Sequence, residues 1–210
     1  MYTVKEIYYT IQGEGFHSGR AAVFVRFTGC NLWSGHEEDR ENAICNFCDT
    51  DFIGTDGPGG GKFRTATELT KKIVSHWPSN SNINKFVVFT GGEPLLQLNE
   101  SLIEALHLKS FKIAVETNGT VKAPENIDWI CVSPKAGKEL RITEGNELKL
   151  VYPQKGVDPL QYEKLKFDHF SLQPMDNEKQ KENTEKAIKY CHKHPSWRLS
   201  LQTHKFIGIP

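Results

Sequence analysis

Short runs of β-branched, aromatic and aliphatic residues recur along this chain with helix-compatible stretches between them. That alternation limits the fold more than any other feature. Strands are expected near residues 22–27, 86–89, 112–115, 129–132, 148–151, 169–172 and 198–201. Helices are expected at 67–76, with Thr65 or Thr67 as cap, and at 98–106, 159–165 and 177–192. Strand, helix, strand in repetition argues for parallel strands in an α/β layer or barrel. About six such units fall short of the eight that close a complete barrel. The expectation is an incomplete (β/α)6-type parallel barrel.

Polar residues able to do chemistry follow strand after strand. Gly29-Cys30 follows the first, Thr90-Gly91-Gly92-Glu93-Pro94 the second and Glu116-Thr117-Asn118-Gly119 the third. Ser133-Pro134-Lys135 follows the fourth, Gln173-Pro174-Met175-Asp176 the sixth and Gln202-Thr203-His204 the last. The amino ends are mostly lysine-rich or plain connectors. In parallel α/β folds the carboxyl edge is where active sites are built.

The most specific of these segments begins at Cys30. Fourteen residues separate it from Cys45, two more separate Cys45 from Cys48, and Asp49-Thr50 follow. Three thiolates are one short of a closed four-coordinate site, which suits catalysis or substrate ligation better than a structural staple. The cysteines alone allow three readings. They are chance neighbours behaving as small hydrophobes, a zinc site completed by His36, or a 4Fe–4S cluster with one iron left for an exchangeable ligand.

The 210 residues fit one domain, residues 1–210, with a cluster loop at 30–50. Lys plus Arg equals Asp plus Glu, 26 each, so bulk charge does not ask for nucleic acid or an acidic membrane surface. No apolar run reaches membrane-spanning length, and the first residues lack a signal-peptide pattern. Five Cys, three at ligand spacing, fit a reducing cytoplasm better than a disulfide framework. Gly54 to Gly61, with Pro58 and five glycines, reads as a flexible surface loop.

Gly91 and Gly92 would let backbone approach a ligand closely. Three clustered cysteines followed by Gly-Gly-Glu-Pro resemble the radical S-adenosylmethionine (SAM) enzymes. Within them the chain is similar to the 7-carboxy-7-deazaguanine synthases, along essentially its whole length. The segments carrying that likeness are Thr10 to Gly15, Phe24 to Leu32, Cys48-Asp49-Thr50, Glu116 to Gly119, Ser133 to Lys135, Gln173 to Asp176, Gln202 to Lys205 and Gly208-Ile209-Pro210. One departure is the fourteen-residue gap where the superfamily has three. Loop closure costs only about 0.6 kcal/mol per doubling of length, so the thiolates can still converge. Trp33 and Ile44 are expected to anchor the insertion, with His36 facing solvent.

The resemblance implies roles. Cys30, Cys45 and Cys48 would hold a 4Fe–4S cluster whose open iron takes SAM. Phe47 and Asp49 would flank it, and Gly92, Asn118, Ser133, Pro134, Lys135, Gln173, Pro174, Met175 and Asp176 would wall the SAM site. Thr50 would bind Mg2+. Ile11, Gln12, Gly13, Glu14, Arg26, Thr90, His204 and the Pro210 carboxylate would contact the substrate, residues 202–210 acting as a cap. Arg26 is informative from the residues alone: a guanidinium in an apolar strand needs an anion, either a substrate carboxylate or a structural partner such as Glu14 or Asp49. Glu116 would hold substrate nitrogen or move a proton, unless it caps the turn after it. Lys149 has no assigned role.

The implied reaction is conversion of 6-carboxy-5,6,7,8-tetrahydropterin to 7-carboxy-7-deazaguanine and ammonia, with SAM used catalytically. The implied partners are a flavodoxin- or ferredoxin-type reductant and a second copy in a homodimer. Direct contact with nucleic acid is not expected, because the charge is balanced and no basic-aromatic stripe is present. Two rivals stand beside this reading. A radical SAM activase acting on a partner protein would need an open lateral face, and a zinc-stabilised binding module would use Cys30, His36, Cys45 and Cys48.

Overall fold

The computed structural model describes residues 1–78 and 81–210. Its centre is one sheet of nine strands: β1 (Tyr2–Ile11), β2 (Ala21–Phe27), β3 (Gly61–Phe63), β4 (Phe86–Gly91), β5 (Lys112–Thr117), β6 (Trp129–Val132), β7 (Glu144–Tyr152), β8 (Lys166–Pro174) and β9 (Trp197–Leu199). Their spatial order is β3-β1-β2-β4-β5-β6-β7-β8-β9. From β2 through β4 to β9 each strand lies parallel to its neighbour. Parallel neighbours that are also successive in sequence wind the sheet one way, as in a barrel. Among the described residues β3 pairs only with β1 and β9 only with β8, so the barrel stays open. The incomplete parallel barrel expected from the sequence is the architecture found.

Alternation along each strand sorts side chains into two layers. Val23, Val25, Val87, Phe89, Ile113 and Val115 face a core shared with the helices. Ala22, Phe86, Val88 and Ala114, with Phe24 and Trp129, fill the interior at the amino ends. Two residues further along the same inward rows stand Arg26, Thr90 and Glu116, which line a cavity. The rows change from apolar to polar as they approach the carboxyl edge. That change places the chemistry.

Three longer helices cover the outside: α1 (Ala66–His76), α2 (Glu100–His107) and α3 (Gln180–Lys193). Thr65 caps α1 by accepting from Glu68 N at 3.1 Å, and Asn99 caps α2 by accepting from Leu102 N at 3.2 Å. The helix expected at 159–165 is instead a 3-10 turn, Pro159–Tyr162, capped by Asp158; only Pro159 within it is buried, too little to hold a longer helix. The strand expected at 198–201 is shifted to Trp197–Leu199, and a short α4 (Thr203–Ile207) follows.

Two elements at the antiparallel edge were not anticipated. β1 carries a register shift between Val4 and Glu6, which breaks its hydrophobic alternation. The glycine-rich loop after residue 54 is laid against β1 rather than free: Gly57 N donates to Lys5 O at 3.0 Å and Ile7 N to Pro58 O at 2.7 Å. It then enters β3. A Cβ on Gly60 would stand 2.2 Å from Lys5 O, so the glycines serve this close backbone approach.

Candidate active site

The sheet encloses a cavity of about 520 Å³. Every residue to which the resemblance gave a cluster, SAM, magnesium or substrate role lines it except Pro134. Pro134 is buried, with its carbonyl accepting from Gln154 Nε2 at 3.2 Å. The rim holds the loops that follow β2, β4, β5, β6 and β8, and the segment 11–14 after β1 lies across the interior.

Cys30, Cys45 and Cys48 all face this cavity. A hydrogen bond from Cys45 to Cys48 brings the Cys48 thiol down to about 6 and pushes Cys45 up. Burial raises Cys30. Lys135 Nζ, held by Ser133 O and Oγ at 2.7 Å each, has its own pKa lowered by burial, against which the two neighbouring thiols act. Such a cation lowers the cost of gathering thiolates. Among the described residues no three His, Cys, Asp or Glu side chains converge on a single metal ion. His36, the fourth donor of a zinc site, is exposed and lies outside the cavity lining. A three-thiol set with no fourth protein donor fits a cluster with an open iron.

The long loop between Cys30 and Cys45 is anchored by Trp33, as expected, but not by Ile44. Trp33 is buried and packs edge-on against Phe52 at 5.6 Å, whereas Ile44 is 38% exposed. Arg40 takes the second anchoring role. Its guanidinium lies 4.2 Å from the Trp33 ring centre, and Nη1 donates to Asn46 O at 3.1 Å and Cys48 O at 2.9 Å. A charged residue in a polar loop gave no sequence signal of this.

Gly92 and Glu93 act on the thiol loop directly. A Cβ on Gly92 would lie 2.1 Å from Gly29 O and 2.8 Å from Cys30 Cβ. Glu93 N donates to Gly29 O at 2.9 Å. The fully buried Glu93 carboxylate accepts from Thr117 Oγ1 at 2.7 Å, Asn118 N at 2.8 Å and Leu95 N at 3.0 Å. Burial nevertheless raises its pKa. Gly-Gly-Glu thus ties the rim loops after β2, β4 and β5 to one another. The turn after Glu116 is braced by Glu93, which leaves Glu116 free to face the interior.

Deeper in the cavity, Arg26 pairs with neither Glu14 nor Asp49. Its Nε meets Glu6 at 2.7 Å and Nη2 donates to Tyr8 Oη at 3.1 Å, because Glu6 is its cross-strand partner in the β1–β2 ladder. Lys149 bridges Glu14 at 2.6 Å and Glu116 at 2.9 Å. Burial works against its charge, but the Glu116 and Glu14 carboxylates hold it well above the ordinary lysine range. Burial raises Glu116; at Glu14 burial acts the same way, but Lys149, Gln202 and His204 together outweigh it and lower the pKa. A lysine inside the apolar run Leu148–Val151 was the signal available for this group, since a buried cation needs anions.

The chain's last residues cover the opening. Thr203 N and Oγ1 donate to Gly13 O at 2.9 and 2.8 Å. Lys205 Nζ joins Asp49 at 2.7 Å to Asp176 at 2.5 Å, and Gln202 Nε2 donates to Glu14 at 3.0 Å. Thr10 Oγ1 donates to Pro210 O at 3.2 Å. Thr50, Phe47, Asn118, Gln173, Pro174, Met175 and His204 complete the predicted lining.

An open parallel barrel with three thiols and a glycine-braced loop at its carboxyl rim defines a radical SAM enzyme. No family model matches the chain. Among curated proteins it is 60% identical over 208 residues to a 7-carboxy-7-deazaguanine synthase of Bradyrhizobium diazoefficiens, covering 99% of both chains. It is 57% identical over 209 residues to one from Burkholderia multivorans, covering 100% of this chain and 99% of that one. A crystal structure of QueE from Escherichia coli shares the fold, with a TM-score of 0.71 at 24% identity, over 97% of this chain and 94% of that one. The chain belongs to the 7-carboxy-7-deazaguanine synthase family. Family membership carries with it a 4Fe–4S cluster and SAM.

Proposed function

We propose that this protein is a radical SAM lyase that converts 6-carboxy-5,6,7,8-tetrahydropterin to 7-carboxy-7-deazaguanine and ammonia for 7-deazapurine and queuosine biosynthesis. The observation that carries the reading is one cavity with three thiols at its rim and a lysine-bridged carboxylate pair deeper inside. When bound, the cluster and SAM supply a 5′-deoxyadenosyl radical able to abstract hydrogen from the substrate.

The chain's own residues bind, orient and move protons. Cys30, Cys45 and Cys48 hold the cluster. Phe47, Asp49, Gly92, Asn118, Ser133, Pro134, Lys135, Gln173, Pro174, Met175 and Asp176 form the SAM site, Pro134 through its backbone. Arg26, with Glu6 holding one side of the guanidinium, offers its remaining N–H groups to the substrate carboxylate. Ile11, Gln12, Gly13, Glu14, Thr90, His204 and Pro210 grip the heterocycle. Glu116 takes the proton that leaves ring carbon as the new ring becomes aromatic and gives it to the departing nitrogen. One C–H and one C–N bond break, one N–H and one C=C bond form, and no net proton is gained.

Thr50 faces the same cavity beside the Asp49 carboxylate, and a hydroxyl there suits Mg2+ completed by substrate oxygens and water. Residues 1–210 act as one domain with the cluster loop at 30–50 and the cap at 202–210. The cap disfavours an activase, which needs an open lateral face. Among the described residues no helix is long and apolar enough to cross a membrane. Five free thiols favour a reducing cytoplasm, where a flavodoxin or ferredoxin serves as reductant and the chain works as a homodimer. Balanced charge favours no direct contact with nucleic acid. Anaerobic incubation of reconstituted protein with SAM, reductant and the carboxylated tetrahydropterin tests the proposal. Mass spectrometry should find the deazaguanine; an intact cluster with no turnover refutes it.

A further inference from the structure

Three carboxylates, Glu147 buried and Glu14 and Glu116 partly buried, share the lower interior with one buried ammonium. Lys149 Nζ contacts Glu14 Oε2 at 2.6 Å and Glu116 Oε2 at 2.9 Å, with its side chain only 6% exposed. The other oxygen of each carboxylate is also held: Gln202 Nε2 donates to Glu14 Oε1 at 3.0 Å and Gln12 Nε2 to Glu116 Oε1 at 3.3 Å. Gln12 Oε1 in turn accepts from Glu14 N at 3.1 Å. Glu147, two residues before Lys149 on β7, is satisfied elsewhere. Its carboxylate accepts from Phe16 N at 3.1 Å and Ser171 Oγ at 2.7 Å. Glu14 and Glu116 are the pair the cavity sees, and Lys149 is what keeps these two partly buried carboxylates adjacent.

We propose that Lys149 is a positioning residue for the reaction: its ammonium clamps Glu14 and Glu116 side by side, giving an N–H-rich heterocycle one fixed anionic acceptor and one proton carrier. This rests on the reaction proposed above. Lys149 itself need not touch the substrate; it acts through the two carboxylates. The division of labour follows from unequal surroundings. Glu116 has Cys131 opposite it on β6 and, among the described residues, no second cation in contact, and burial raises it. Glu14 has Gln202 and the nearby His204 on its other side in addition to Lys149, and is lowered. The groups facing Lys149 are Glu116 on β5, Cys131 on β6, Glu147 on its own strand and Glu14 on the segment after β1, with Lys135 acting from the rim.

The sign of the effect is fixed by charge. An opposite charge in contact lowers a carboxylate by about 1–3 pH units. Removing Lys149 therefore raises both carboxylates and moves the acid limb of the kcat/KM profile upward by about one pH unit or more. Substrate affinity falls at least about tenfold, because Glu14 is no longer held ionised in place. Lys149→Arg keeps the charge and restores the acid limb. SAM affinity and iron content stay at wild-type values in all variants, since Lys149 touches neither group's residues.

The test compares wild-type, Lys149→Met and Lys149→Arg holoenzymes by pH profile, by calorimetric substrate binding and by iron content. Lys149→Met leaves two partly buried carboxylates without their cation and can fail to fold. The pair Glu116→Gln and Glu116→Gln/Lys149→Met, in which the double variant keeps the wild-type net charge and leaves one carboxylate instead of two, then decides. The double variant is expected to bind substrate about tenfold more weakly than Glu116→Gln alone. Equal affinity in that pair, or an unmoved acid limb and affinity in Lys149→Met, overturns the inference. Wild-type protein that makes no deazaguanine overturns the reaction and this inference together, whereas wild-type turnover with unaffected variants overturns this inference alone.

Discussion

Gly92→Ala is a small change with a large expected effect. The new Cβ would sit 2.1 Å from Gly29 O and 2.5 Å from Gly29 C, both backbone atoms, and 2.8 Å from Cys30 Cβ. Reaching even the 3.0 Å that real Cβ atoms rarely undercut requires the two loops to part by about 0.9 Å. Glu93 N donates to Gly29 O at 2.9 Å, so the same movement stretches that bond to about 3.8 Å and breaks it. Overpacking of about 1–3 kcal/mol plus a lost hydrogen bond of about 1 kcal/mol gives about 2–4 kcal/mol. For a chain this long that is a fall of about 4–16 °C in Tm. A thiolate displaced by about 1 Å costs up to about a hundredfold in turnover. Thermal unfolding, iron per chain after anaerobic reconstitution and product formation read the three consequences. An alanine variant with wild-type Tm, full iron and full turnover would refute the claim that Gly92 sets the position of Cys30.

Other perturbations test separate parts of the site. Deleting Ile209 and Pro210 should abolish deazaguanine formation while leaving iron content unchanged, measured by mass spectrometry and iron assay. Lys205→Met unties Asp49 from Asp176; because Lys205 is about one-third exposed, the stability loss should stay below about 1 kcal/mol, while substrate KM rises. Arg26→Lys keeps the charge but loses the fork held by Glu6 and Tyr8, and should raise KM for the carboxylated substrate at least about tenfold. Glu14 is depressed below the usual carboxylate value, so its stabilisation is complete above the unfolded pKa and is lost as pH falls through the lower folded value. Denaturant titrations below about pH 4.3 should therefore show wild type losing stability more steeply than Glu14→Gln.

Most of the parallel barrel was legible because its strands are buried on both faces and read as unbroken apolar runs, as in Phe86–Phe89. The antiparallel edge was not. The bulge at Val4–Glu6 hides the period of β1, and β3 is three residues in a glycine-rich tail. The helix read at 159–165 failed because an isolated turn takes its stability from packing, and packing is invisible in a local pattern.

The same boundary runs through the site. The order of elements placed the Cys30–Cys48 loop and Gly-Gly-Glu-Pro at one edge, because they follow neighbouring parallel strands, and the resemblance joined them into one site. Which anion meets Arg26, what Glu93 binds and why Lys149 is tolerated in the interior were settled by tertiary structure. Those contacts join β1 to β2, β4 to β5, and the segment after β1 to β5 and β7. A local sequence window carries residue periodicity; it does not carry the register that decides which buried charges meet.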